Sequence, residues 1–261
     1  MLKRVLAAAL LAGLCAGVFT GVLQVLYLQP LILEAERYEV SELASQSSIH
    51  APNHDHAVAE TAQGATSTTT APHSHRVSLL PPREELGVER VLFLVITNLL
   101  TGIGFSLILA AAYTFLAPRL DLSLDIRTGA LWGLVGFAAF SLAPALGLPP
   151  ELPGMAAADL SLRQAWWVFT ALSTATGLGI LAFGRTPLWG LVGAGLLIFP
   201  HMIGAPAPLS GEIAVPAELL VDFITLSLSI MGVFWLVLGL CLGFSYPKSS
   251  ERVSQLKPAL G

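Results

Sequence analysis

The sequence predicts an all-α integral membrane protein, a bundle of six transmembrane helices arranged as three hairpins with an internal repeat between the third and fifth spans. Three observations lead there. Of 261 residues, 54% are hydrophobic and only 11% charged, where a soluble domain carries about 25% charged residues. Mean hydropathy is +0.74, so the chain lacks the polar surface to face water all round. The apolar residues also gather into runs near the roughly 20 residues that a helix needs to cross a bilayer. The net charge of −4 comes with no basic stripe, which argues against a nucleic-acid partner.

The first run, Val5–Leu28, follows Lys3 and Arg4 as a signal peptide would. It is longer than a signal core of about 7–15 residues and shows no small-x-small cleavage site, so it is expected to stay as an anchored first helix, residues 1–33. Gly13, Gly17 and Gly21 recur on it every four residues, a spacing that lets helix backbones approach closely. Five further runs, Val91–Leu116, Gly129–Leu146, Ala165–Phe183, Leu188–Ile203 and Leu219–Phe244, make the five-helix remainder, residues 91–246. Residues 247–261 form a tail. Cys15 and Cys241 both sit inside apolar runs; their spacing fits neither a metal motif nor a disulfide framework, and they are read as small packing residues.

Lys and Arg distribution sets the orientation. With both termini cytoplasmic, Lys3, Arg4, Arg119, Arg127, Arg185, Lys248, Arg252 and Lys257 fall inside, eight of thirteen. Most acids then face outward, on a surface that attracts cations.

The outer loop, residues 34–90, contains the small polar stretch TAQGATSTTTA, which has no core-forming pattern. It holds five of the six histidines: His50, His54, His56, His73 and His75. Imidazole is a borderline-soft donor, and tracts of this kind suit capture and handover of a metal ion.

Leu131–Gly147, LWGLVGFAAFSLAPALG, aligns without gaps on Leu188–Gly204, LWGLVGAGLLIFPHMIG, with seven identities. Spans 3 and 5 are therefore expected to be equivalent and to run the same way. All three outward-running helices end in proline followed by an acid: QPLILEAE, APALGLPPELPGM and PHMIGAPAPLSGE. Proline releases backbone carbonyls, and helix C-termini carry partial negative charge. Pro144 and Pro200, with Glu34, Glu151 and Glu212, are thus expected to converge on a cation site, as broken helices do in transporters.

Ionisable groups near the membrane add to that set. Glu218 and Asp222, four apart, share one face at the start of the last span. His201 and Met202 bring an imidazole and a thioether, donors that suit cobalt, nickel or zinc better than magnesium or calcium, and Met155 offers a second sulfur. Asn98 is read as a pathway or helix-packing residue, and Gln24 as a helix-packing one. No P-loop, HExxH, GxSxG or paired CxxC occurs, so the chain is not expected to be an enzyme.

The strings LQPLILEAERYE, LAPALGLPPELPGM, PHMIGAPAP and VPAEL resemble the CbtA family of probable cobalt transporter subunits, over essentially the whole chain. The resemblance implies cobalt uptake at the bacterial inner membrane, linked to cobalamin synthesis, and a small single-span partner, CbtB. Family loops often carry dense histidine runs, whereas the five here are dispersed. The expected function is thus a membrane subunit that captures cobalt, with nickel or zinc as alternatives, and passes it inward as substrate, with no tightly bound cofactor. The competing expectation is a metal-binding scaffold that delivers the ion to a separate permease, and a weaker third is a membrane enzyme using the outer carboxylates.

Overall fold

The computed structural model describes residues 2–49, 87–120, 125–208 and 215–245, and within them every element is helical. Helix α1, Leu2–Leu23, is built of Ala and Leu, strong helix formers. It continues through a π-helical turn at Gln24–Leu28 into α2, Gln29–Ile49. The turn has a local cause. Pro30 has no N–H, and its ring crowds the carbonyl four residues back. The preceding residue, Gln29, donates five back to Gln24 O instead of four. The same event recurs before Pro144. Helix α4, Ile126–Phe137, widens into a π turn at Ala138–Leu142, where Ala143 donates to Ala138 O, and ends in α5, Ala143–Ala145.

The remaining helices are α3, Val88–Leu120, α6, Leu160–Phe183, α7, Pro187–Ile203, and α8, Ala217–Ser245. Five of the six predicted runs each fall within one of these rods, and the third, Gly129–Leu146, runs one residue past the end of α5 at Ala145. Five are long and apolar enough to cross a membrane: Leu2–Ser41, Val88–Leu116, Ile126–Ala145, Leu160–Phe183 and Ala217–Ser245. The sixth apolar helix, α7, has 17 residues, about 25 Å at 1.5 Å per residue. Its length is set by proline at its first position and by Gly204, whose φ of 84° stops it.

Side by side, the helices run α3, α1, α8, α4, α6, α7. Between lipid-facing helices apolar burial gives little net drive, so close packing and interhelical hydrogen bonds decide who pairs. Gly13 and Gly17 press on α3 at Gly102 and Asn98, as their spacing predicts. Ala9, Ala12 and Ala16 of α1 share one buried cluster with Leu109, Ala110 and Tyr113 of α3 and Phe234, Leu238 and Leu242 of α8. Ser106 Oγ of α3 donates to Ala9 O at 2.7 Å. Gly129 and Gly133 of α4 meet Gly239 and Gly243 of α8 backbone to backbone. Phe105, Phe140, Phe234 and Trp235 fill the centre, with Phe140 stacked on Trp235 at 5.6 Å. Trp235 Nε1 donates to Ser141 Oγ in the second π turn at 3.0 Å.

The first pair, α1 with α3, is the expected hairpin. The last two helices differ from expectation: α7 packs on α6, and α8 on α1 and α4. The reason lies in complementary small residues, since Gly177 of α6 and Gly193 of α7 face each other. Pro200 leaves the carbonyl of Leu196 without a helical donor, and Ser173 of α6 supplies one from its hydroxyl at 2.7 Å. That bond ties α7 to α6.

Candidate functional site

The antiparallel pairings bring two kinds of ends together. One end of the bundle carries Lys3, Arg4, Arg127 and Arg185. The other carries the acids of the helix exits. An apolar cluster assembles this acidic end: Ala35 of α2, Leu152 of the segment after α5, Val215, and Leu219 and Phe223 of α8, with Met155 packed against it. Four of these residues are sequence neighbours of a predicted ligand. Glu34 precedes Ala35, Glu151 precedes Leu152, Glu218 precedes Leu219 and Asp222 precedes Phe223. Their backbones therefore gather at one place, while Glu34, Glu218 and Asp222 are exposed around the rim.

Glu151 has a partner, Arg163, at 2.7 Å, both about a quarter exposed. Glu36 pairs with Arg90 at 2.7 Å, fixing α2 to the start of α3. Glu39 lies alongside Gly154, whose φ of 81° shapes the turn between Leu152 and Met155. Met155 turns its sulfur inward to accept the Leu152 N–H at 3.4 Å, so it holds its own loop. Asp159 caps α6, accepting from Ser161 N and Leu162 N at 2.9 and 3.2 Å. The Ser161 hydroxyl, and then those amides, hold its carboxyl below the usual carboxylate range.

The third exit joins through aromatic contact. His201 is half-buried, its ring edge-to-face with Trp166 at 6.0 Å. Trp166 is also the residue that a Cβ at Gly147 would strike, at 2.4 Å, and Ala205 lies 2.9 Å from the same point. The ends of α5 and α7 and the start of α6 thus meet around one indole. Pro144 and Pro200 are both buried, whereas Met202 is 79% exposed. Asn98 donates to Gln24 Oε1 at 2.7 Å and to Leu94 O at 2.9 Å, bridging α3 to the first π turn.

Among the described residues, no three His, Cys, Asp or Glu side chains stand together as a metal site. The exits converge, and their ligand candidates ring the end rather than close on one point. His50, His54, His56, His73, His75 and Glu212 lie outside the described residues.

Two features escaped the sequence reading. Arg163, opposite in charge to Glu151 and twelve residues on in the same loop, is its partner. Thr20, Gln29 and Ser227 are buried with side-chain oxygens that have no hydrogen-bond partner among the described residues; Gln29, a polar residue just before a proline in an apolar run, was the legible clue. At the basic end, Cys15 and Cys241 are free and line one apolar groove of about 460 Å³ between α1, α4 and α8.

Comparison with curated proteins and with solved structures finds no match. A family model described as "Probable cobalt transporter subunit (CbtA)" matches residues 2–246. That match covers nearly all of the 261 residues and spans every helix that builds the acidic end, and this multi-pass membrane chain belongs to the CbtA family of probable cobalt transporter subunits.

Proposed function

We propose that this chain captures a divalent transition-metal ion, cobalt first, on the acidic end of the bundle and passes it inward along the helices. The observation that carries the reading is the convergence of the α2, α5 and α8 ends on the Ala35–Leu152–Phe223 cluster, which sets Glu34, Glu151, Glu218 and Asp222 around one mouth. His201, held edge-on by Trp166, stands at the third exit. In this reading α7 is a sixth, short span, both termini are cytoplasmic, and the membrane is the bacterial inner membrane. The five histidines of residues 50–75 load the mouth, and a small single-span partner assists.

Spans 3 and 5 remain equivalent in this proposal. LWGLVG lies on α4 and α7, which both run from the basic to the acidic end. The gapless alignment sets Pro144 opposite His201; counting one extra residue for the π turn sets it opposite Pro200. Energy is available without nucleotide: moving inward gains about 2.3 kcal/mol per charge per 100 mV of inside-negative potential.

The test is cellular cobalt accumulation in a transport-deficient host. His201→Ala and a deletion of residues 50–75 are compared with the unaltered chain. Loss of uptake in His201→Ala, with only weakened apparent affinity in the deletion, supports the reading. Full uptake by His201→Ala with an inactive deletion moves the function to the loop.

That second result would favour the scaffold reading, in which the chain hands metal to a separate permease. It has one observation of its own: the described carboxylates do not close into a three-ligand site. It expects the rim acids to be dispensable.

A further inference from the structure

Three buried polar side chains interrupt the apolar packing of the first rod and α8. Toward the basic end Ala9, Ala12 and Ala16 share one cluster with Phe234, Leu238 and Leu242 of α8 and with Leu109 and Tyr113 of α3. Toward the acidic end Leu31, Ile32 and Ala35 meet Leu219 and Phe223. Thr20, four residues on from Ala16, lies between these clusters; Gln29 stands inside the acidic-end stretch, flanked by Leu28 and Leu31, and Ser227 is four on from Phe223. Thr20 is 0%, Gln29 7% and Ser227 9% exposed. Thr20 Oγ1, Gln29 Oε1 and Ser227 Oγ all lack a hydrogen-bond partner among the described residues. Native structures leave few buried polar atoms unpaired, and each one calls for a reason.

The two rods run antiparallel and share one cluster, Leu28 to Ala35 on one and Leu219 to Phe223 on the other, so Gln29 and Ser227 stand within about one helical turn of the same level. Thr20 lies deeper, about 13 Å along the rod at 1.5 Å per residue. Gln29 is also the residue whose amide reaches five back to close the π turn. Such turns recur at functional sites because the one extra residue re-aims the side chains beyond it. Here it keeps an uncharged carbonyl oxygen inside a seam that apolar packing would otherwise fill.

We propose that Gln29 and Ser227 form an oxygen-lined transit site for a partly dehydrated divalent cation, about one to two turns inside the acidic mouth, with Thr20 a further oxygen deeper along the same path. The site rests on the reading of the chain as a transporter and deepens it. An ion that sheds water inside the membrane needs replacement oxygens. Neutral amide and hydroxyl donors supply them without the full charge that would trap the ion, and passage requires binding weak enough to leave. The capture step keeps the carboxylates and the imidazole; the transit site only stands in for water.

Two measurements on the full chain test it. In the first, Gln29→His is purified in detergent and titrated with cobalt(II), following its visible absorption. A reachable site gains an imidazole ligand, so this variant binds cobalt at least roughly tenfold more tightly than the unaltered chain. Adding Ser227→Ala to it weakens that gain. No gain in binding would show the seam to be closed to metal and overturn the site.

In the second, cobalt entry into vesicles is compared for the unaltered chain, Gln29→Leu and Ser227→Ala, each with its thermal midpoint. The site predicts that entry falls by roughly tenfold in Gln29→Leu while its midpoint stays or rises, because an apolar replacement relieves an unpaired polar group. Equal entry by Gln29→Leu overturns the transit role, even if Gln29→His binds cobalt. Absence of cobalt entry for the unaltered chain, with and without its single-span partner, overturns the transport reading itself; in that case the binding titration still decides whether metal reaches the seam.

Discussion

Gly239→Ala probes the crossing on which α8 depends. A Cβ at position 239 would stand 2.3 Å from Gly129 O and 2.9 Å from both Gly133 N and Cα. All three are backbone atoms, so no side chain can swing aside. Ordinary contact begins near 3.4 Å, and α4 and α8 must therefore part by about 1 Å. A gap of that size forfeits up to about half of the attraction at each affected contact. Overpacking of this kind costs about 1–3 kcal/mol, and a rigid backbone obstacle places it near the upper figure. Alanine returns about 0.8–1.0 kcal/mol of helix propensity, leaving a net loss of about 2 kcal/mol. At roughly 2–4 °C per kcal/mol, the thermal midpoint falls by about 4–8 °C. Tryptophan fluorescence during heating reads this directly, since Trp235 packs against Gly133 and Gly136 at the crossing. Gly190→Ala is the control: nothing lies within 4 Å of its added Cβ, so it should hold or raise the midpoint. A Gly239→Ala chain as stable as the unaltered one, or equal shifts for both substitutions, would refute the packing argument.

Other single contacts make similarly direct claims. Ser173→Ala orphans the Leu196 carbonyl and should cost about 1–3 kcal/mol; in a Pro200→Ala background, where residue 200 regains its N–H, most of that cost should vanish in a double-mutant cycle. Asn98→Ala removes the bridge to Gln24 and should lower stability by about 0.6 kcal/mol, and at most about 1.7, read from the thermal midpoint in detergent. Asp159 and Asp125 have carboxyls held below their ordinary range by capping hydrogen bonds, so their stabilisation is present above the unfolded pKa and is lost as pH falls through the lowered folded value. The midpoint should decline below about pH 4, and Asp159→Asn should make that acid decline shallower.

The helices and the α1–α3 contact were legible because hydropathy and glycine spacing are local properties. The neighbour of α7 was not, because the choice between α6 and α8 turns on which small-residue faces match and on where a freed carbonyl finds a hydroxyl. Proline was read correctly as a disturbance near the helix exits, yet nothing in the local sequence said that two of the three would be preceded by a widened turn. The meeting of the exits was legible from their shared proline-acid pattern. The partners of individual groups were not: Glu151 takes Arg163 twelve residues on, and His201 takes Trp166 thirty-five residues back, both fixed by how loops return. Met202 follows His201 in sequence, but one step along a helix turns a side chain by about 100°, and it faces outward.

The π turn at Gln24–Leu28 works as a phase adjustment on a single rod. Each helical residue advances the facing direction by about 100°, so one surplus residue rotates everything beyond it by that angle without bending the axis. The inner part of the rod is phased to α3 and α8 through Gly13, Gly17 and Ala16, and the outer part is phased separately to Leu152 and Phe223. A one-residue deletion within Gln24–Leu28 would thus restore an ordinary α turn and leave Glu34, Ala35 and Glu36 facing the mouth, because the widened turn sweeps nearly the same angle with one residue more. The same deletion one turn earlier, where no residue is surplus, would swing them about 100° away from it while the inner contacts stayed in register.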